Sequence, residues 1–219
     1  MNVSEAVQAR TSVRAFQDRP VDGDTVREIL EAAARAPSGG NLQPWRVFAL
    51  AGQPLEQLKT AAAASPFGET PEYAVYPPAL WEPFRTRRFT NGEQLYSSVG
   101  APREDKARRL AWFARNREFF GAPVGLIFCL DRRLGSPQWA DLGMYMMAIM
   151  LLAQERGLAT CAQEYWAIYP RTLAEQLQLP EELMVFAGMA LGYAAPAAPI
   201  NGWRSEREQF EQFAEMRGF

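Results

Sequence analysis

Two kinds of apolar pattern alternate along the chain, helical spacing in some stretches and short unbroken runs in others, and together they predict most of the elements. Val26, Ile29, Leu30 and Ala33 fall at i, i+3, i+4 and i+7, one buried face of a helix capped by Asp24 and stopped by Pro37. A shorter helix precedes it, with Asn2 and Glu5 as a capping box and an end near Ala9. Residues 45–50 are too short for a helix and rich in Trp, Val and Phe, which predicts a strand ending at Gly52 and then a helix over 54–64. The run 124–130 is apolar throughout, the pattern of a strand covered on both faces. Ser136 and Pro137 open a long helix that Gly157 ends after Arg156. Because 142–153 is apolar on nearly every side, that helix has to be covered all round, by the core of a large domain or by a dimer partner. Strands at 158–161 and 184–191 flank a helix at 171–179.

Between these elements the pattern loosens. In 65–100, Pro66, Pro71, Pro77, Pro78 and Pro83 interleave with Phe67, Tyr73, Tyr76, Trp81, Phe84, Phe89 and Tyr96. A loop of that length is functional or mobile, and its aromatic content argues against disorder. It reads as a lid with a broken helix or as a surface excursion packed on the core. Residues 102–120 predict a charged helix with Ala107, Leu110, Ala111 and Ala114 on its apolar line. Residues 193–200, with four alanines and two prolines, suit an extended arm. The arm leads to a last helix, opened by a Ser205 and Glu208 capping box and carrying Phe210, Phe213 and Ala214 on one face. Helices mixed with about four strands, and no internal repeat, predict an α+β fold. The 219 residues suit a single domain over 1–219, with a lid or insertion around 65–118.

Composition narrows the chemistry. Lys+Arg at 23 against Asp+Glu at 25 is too even to argue for nucleic acid or an anionic membrane as partner. The longest uncharged stretch falls short of the roughly 18 apolar residues a membrane span needs. No signal or transit peptide is evident, and Cys129 and Cys161, both in apolar surroundings, read as reduced core residues, so a cytoplasmic location is expected. With no histidine, Ser-His-Asp and Cys-His catalysis and HExxH zinc sites are excluded, and no metal site is expected. An enzyme of this composition needs a bound cofactor to carry its chemistry, with no catalytic protein nucleophile.

Two constellations offer such a site. Arg10, Thr11, Ser12 and Arg14 put two guanidiniums and two hydroxyls within five residues, either a phosphate grip or a complement to a helix dipole. Pro37, Ser38, Gly39, Gly40, Asn41, Leu42, Gln43 and Pro44 form a polar turn in which Gly39 and Gly40 let the backbone approach a flat ligand, and Ser38, Asn41 and Gln43 supply donors and acceptors. Together, RTSVRAF at 10–16 and APSGGNLQPWRV at 36–47 strongly resemble the paired N-terminal motifs of the FMN-dependent nitroreductase family. The resemblance continues through ADLGMYMMAIMLLAQERGLATCAQE and ALGYAAPAAPINGWRSERE and spans essentially the whole chain, most thinly over 65–118.

The resemblance implies a nitroreductase-like fold: a central mixed, mainly antiparallel sheet flanked by helices, in an intertwined homodimer with an exchanged C-terminal arm. It implies FMN held at its phosphate and ribityl end by Arg10, Ser12, Arg14 and Arg207, with Arg204 as a further contact. Pro37, Ser38, Gly39 and Asn41 of the partner subunit would line the ring, and Glu164 and Tyr165 would face its reactive edge. Thr11 and Gln43 join the cofactor-binding set as neighbours in the two motifs. Relatives often carry a glycine after the acidic residue; Tyr165-Trp166 departs from that, and Trp166 would stack on the substrate side. The implied reaction is ping-pong transfer of electrons from NAD(P)H to a nitroaromatic or quinone. Reductive dehalogenation, flavin fragmentation or non-catalytic flavin binding are the alternatives that share the fold. Finally, Arg85, Arg87 and Arg88 lie among the lid aromatics. Arg85 or Arg88 would clamp the carboxylate of an aromatic acid, or else the group is a solvated basic face.

Overall fold

The computed structural model describes residues 1–65 and 68–219; Pro66 and Phe67, counted above in the lid, lie outside the described residues. Its centre is a four-stranded sheet of β1 (Arg46–Ala51), β2 (Val124–Asp131), β3 (Ala159–Gln163) and β4 (Leu183–Gly192), in the order β1-β2-β4-β3. Among the described residues every strand pairing is antiparallel, and the one parallel contact is an isolated bridge between Ser12 and Thr160.

Side chains of β2 alternate between two cores, as the period of a strand requires. Leu126, Phe128 and Leu130 pack with α2 (Gly23–Ala33) and α6 (Ser136–Glu155) on one face. Ile127 and Cys129 pack on the other face with α3 (Gly52–Ala63), α7 (Pro170–Leu177) and the rings of Phe119, Trp166 and Tyr169. Cover on both faces is why 124–130 has no polar position. Two strand glycines make room for those rings. A Cβ on Gly125 would lie 2.7 Å from Phe119, and one on Gly188 would lie 2.3 Å from Trp166.

Several expected boundaries shift. The capping box of α1 (Val3–Ala9) forms as expected, but α2 is capped by Asp22, whose side chain accepts from Thr25 N at 3.0 Å, and not by Asp24. The stretch 65–100 is not irregular throughout: α4 (Phe84–Ser98) is a 15-residue helix with no buried residue. A helix without a buried face has no apolar line to betray it. The charged helix expected over 102–120 is shorter, α5 (Lys106–Ala114), followed by a 3-10 segment over Arg115–Gly121. Phe119 and Phe120 take positive φ there, 47° and 55°, and both rings are buried. Burial of two aromatic rings outweighs the backbone strain, which costs of order 1–3 kcal/mol per residue. No helix starts at Ser205; beyond the one-turn helix α8 (Pro199–Gly202) only a 3-10 turn over Phe210–Gln212 follows. Nor is α6 covered all round by its own chain, for Gly143 and Met144 are exposed. Among the described residues no helix is long and apolar enough to cross a membrane.

The start of the lid is anchored to α7 by a buried carboxylate. Glu69 accepts hydrogen bonds from Arg171 N at 2.7 Å, Thr172 N at 3.2 Å and Thr172 Oγ1 at 2.6 Å, while its own N–H donates to Ile168 O at 2.7 Å. It thus caps the helix N-terminus from about a hundred residues away in sequence. Glu69→Ala is expected to cost about 2 kcal/mol, near the upper end for a cap, and to lower Tm by about 4–8 °C in a chain of this size. An unchanged melting curve would show that the contact adds nothing.

Candidate functional site

Both chain ends build one recess. After α1 the loop carrying Arg10, Thr11, Ser12 and Arg14 docks on the exposed edge of the sheet, where Val13 N donates to Thr160 O at 3.0 Å. Asn201 ties the C-terminal segment to this loop. Its Oδ1 accepts from Arg14 N at 3.0 Å, and its Nδ2 donates to Ala15 O at 2.8 Å and to Ala195 O at 3.0 Å. Arg204 then donates to Gln8 O at 2.5 Å and Ala9 O at 3.0 Å, completing the last carbonyls of α1. The result is an open recess of about 570 Å³, lined on one side by the 10–14 loop and on the other by Trp203, Arg204, Ser205 and Arg207.

Four guanidiniums therefore face one hollow. Among the described residues none of Arg10, Arg14, Arg204 and Arg207 has a carboxylate within ion-pair distance, although ten other Arg or Lys side chains do. Burial and then the like charges of Arg207 and Arg204 hold the pKa of Arg10 below its ordinary value. Mutually repelling cations without counter-charge are a receptor for an anion, and hydroxyls of Thr11, Ser12 and Ser205 complete the donor set. Cys161 beneath the loop is no nucleophile, because burial pushes its thiol up to about 11 against the pull of Arg14 and Arg10.

Arg14 also lines a second, larger cavity of about 810 Å³ beneath the lid, walled by Tyr76, Leu80, Phe89, Tyr96 and Phe113 with Asn116 at its margin. Its rings and prolines suit a flat apolar ligand. Glu164 lies beside Tyr76, whose pKa is raised by burial and then by Glu164, with Arg88 opposing. Tyr165 is buried, its hydroxyl 2.7 Å from that of Tyr169 and its ring edge-on to Phe113.

Trp166 corrects an expectation. It is fully buried, stacked on Phe119 at 4.6 Å and pressed against Gly188, so it reaches no open surface and cannot stack on substrate. Of the lid arginines, Arg85 and Arg88 line the lid cavity and Arg87 does not, and their partners differ. Arg85 pairs with Glu82 at 2.6 Å and Arg87 with Glu208 at 2.6 Å, whereas Arg88 has no carboxylate partner among the described residues and lies 4.3 Å over the ring of Tyr76.

The 37–43 turn stands apart from both hollows. Ser38 Oγ accepts from Gln43 N at 3.0 Å, and Gly39 N donates to the buried Asp141 of α6 at 3.2 Å. Gly40, Asn41 and Gln43 all have positive φ, and 39–43 is exposed. Within one chain the turn is rigidly presented to solvent, and Pro37, Ser38, Gly39, Asn41 and Gln43 line neither the arginine recess nor the lid cavity. Sequence reasoning missed Tyr76, Phe113 and Asn116 as cavity walls, and Asn201 as the tie between chain ends. Asn201 lay inside a quoted motif, INGWRSERE, where only the arginines drew notice.

The family model described as the nitroreductase family matches residues 7–193. A nitrobenzene nitroreductase of Ectopseudomonas oleovorans is 40% identical over 215 residues, covering 96% of this chain and 95% of that protein. A chloronitrobenzene nitroreductase of Comamonas testosteroni is 38% identical over 215 residues, 96% of this chain and 95% of its own length. Among solved structures, the FMN- and NADPH-dependent nitroreductase NfnB of Sphigopyxis sp. strain HMH superposes with a TM-score of 0.97 at 45% identity, each chain covered completely.

Proposed function

The chain belongs to the nitroreductase family, and from that premise we propose that it is an FMN-dependent oxidoreductase passing electrons from NAD(P)H to a nitroaromatic acceptor. The observation that carries this reading is the cluster of four arginines without a carboxylate partner among the described residues, a donor set that fits the phosphate of a mononucleotide. In this reading 1–219 is one FMN-binding domain. Arg10, Arg14, Arg204 and Arg207 hold the phosphate with Thr11 and Ser12, and Glu164 and Tyr165 border the ring. Bound flavin supplies the two-electron chemistry that no side chain of this composition provides.

The chain's own residues position and exclude. The lid aromatics Tyr76, Phe89, Tyr96 and Phe113 form the seat of the acceptor ring. Donor and acceptor use this seat in turn, which makes the kinetics ping-pong. A homodimer completes the site: the exposed turn with Pro37, Ser38, Gly39, Asn41 and Gln43 reaches the flavin of a second copy. Support for a dimer is the uncovered side of α6 and the apolar tail, with Phe213 71% and Phe219 99% exposed in one chain. The buried free thiols Cys129 and Cys161 suit a reducing setting, the cytoplasm.

Purified protein is expected to be yellow, to release FMN on denaturation, and to oxidise NADPH when a nitroaromatic is added. A colourless protein that takes up no added FMN would refute the proposal, and flavin binding without NAD(P)H turnover would leave only a flavin-binding protein. The quinone and dehalogenation alternatives are separated by the choice of acceptor in the same assay.

A further inference from the structure

We propose that the groove between α4 and residues 205–208 is a subsite for the phosphates on the adenosine side of the reduced nicotinamide dinucleotide, with Arg88 as its anchor. The proposal rests on reading the arginine recess as the FMN phosphate site. The groove has a volume of about 640 Å³ and shares Ser205 and Arg207 with that recess. It adjoins the lid cavity, with which it shares Tyr76, Arg88 and Asn91, so Arg88 stands at the junction of the two.

Charge decides the class of ligand. Around the two connected hollows six guanidiniums, those of Arg10, Arg14, Arg87, Arg88, Arg204 and Arg207, face the carboxylates of Glu206 and Glu208. A phosphate monoester brings a charge of about −1.5 to −2 at neutral pH, so roughly two positive charges remain after one is bound. Within the groove Arg87 and Arg88 stand against Glu206 and Glu208, but the pairing is uneven. Glu208 is engaged by Arg87 at 2.6 Å and Glu206 accepts from Gln94 at 3.0 Å, which leaves Arg88 without a carboxylate partner among the described residues. Stacking on Tyr76 at 4.3 Å holds its guanidinium plane in place while leaving its N–H groups for an anion. The nitro oxygens of a neutral nitroaromatic accept hydrogen bonds but bring no net charge to match this cation. A dinucleotide carries two bridging phosphates, and a third in NADPH, outside the nicotinamide that must reach the flavin.

The test compares flavin-loaded wild type with Arg88→Ala and Arg88→Lys, using NADPH, NADH and reduced nicotinamide mononucleotide, which lacks the adenosine-side phosphates, as donors and nitrobenzene as acceptor. Loss of an exposed, partly screened charge-assisted contact is expected to lower kcat/KM for NADPH about tenfold in Arg88→Ala. Arg88→Lys falls less, and the mononucleotide donor shows no change. An equal loss with NADH assigns the contact to the adenosine 5′-phosphate, and a loss confined to NADPH assigns it to the ribose 2′-phosphate. Equal effects on all three donors, or none, would overturn the proposal. So would a selective rise in KM for 4-nitrobenzoate over nitrobenzene with donor kinetics untouched, the result expected if Arg88 instead clamps an acceptor carboxylate. Flavin content measured on each preparation separates this failure from failure of the cofactor reading, which would appear as flavin-free wild type.

Discussion

Arg10→Ala combined with Arg207→Ala is expected to give a folded but colourless protein. Each guanidinium contributes charge-assisted hydrogen bonds worth about 1.5–3 kcal/mol to a phosphate, so either single variant should weaken FMN by roughly 10–100-fold. The pair should weaken it by on the order of 10²–10⁴-fold, as followed by quenching of flavin fluorescence. Stability of the flavin-free protein gives a second, opposite signature. Arg10 is held below its ordinary pKa by burial and by Arg207 and Arg204. Removing the repulsion should therefore leave the Tm of apoprotein unchanged or raise it. If the variants bind FMN as tightly as wild type, the phosphate lies elsewhere; if they merely unfold, the arginines are structural.

A second large effect is expected where the sheet meets Trp166. The indole is fully buried and stacked on Phe119 with an interplanar angle of 21°. Trp166→Ala should cost about 3–5 kcal/mol through lost burial and the cavity left behind, lowering Tm by roughly 6–20 °C. Gly188→Ala should cost about 1–3 kcal/mol or more by overpacking, because the added carbon would sit 2.3 Å from the Trp166 Cδ1 atom. The double variant supplies the sharper result. With the indole gone, the new methyl group enters empty space, so Gly188→Ala should be neutral or stabilising in the Trp166→Ala background. Equal costs in both backgrounds, measured by urea denaturation, would show that the two positions do not press on each other.

Much of this architecture was legible because burial leaves a period. The uniformly apolar 124–130 run announced a strand between two layers, and the i, i+3, i+4, i+7 line from Val26 to Ala33 announced α2. What escaped lacked that imprint. The helix α4 has no buried residue, and its charged and aromatic side chains meet solvent, cavity and C-terminal segment in no regular order. The supposed capping box of Ser205 and Glu208 shows the converse error. Glu208 reaches Arg87 instead, and a short helix whose nucleus is costly gives way to a long-range ion pair and the Arg204 contacts to α1. For the site, residue type sufficed to pick out the arginines, which the fold gathers from both ends. It did not suffice for Trp166, since stacking on a substrate and stacking in a core ask for the same ring. Only the packing of the indole against Gly188 separates the two, and that contact depends on how the turn after β3 folds back over β4.

The bond from Arg14 N to Asn201 Oδ1 joins residues 187 positions apart. A ribosome extends a chain by about 5–20 residues each second, amino end first. Throughout almost all of that synthesis Arg10 and Arg14 wait without the opposite wall of their recess. Assembly of the recess therefore waits until residues 201–207 have emerged, and a polypeptide cut between residues 193 and 200 keeps all four strands but lacks Trp203, Arg204 and Arg207, one wall of that recess.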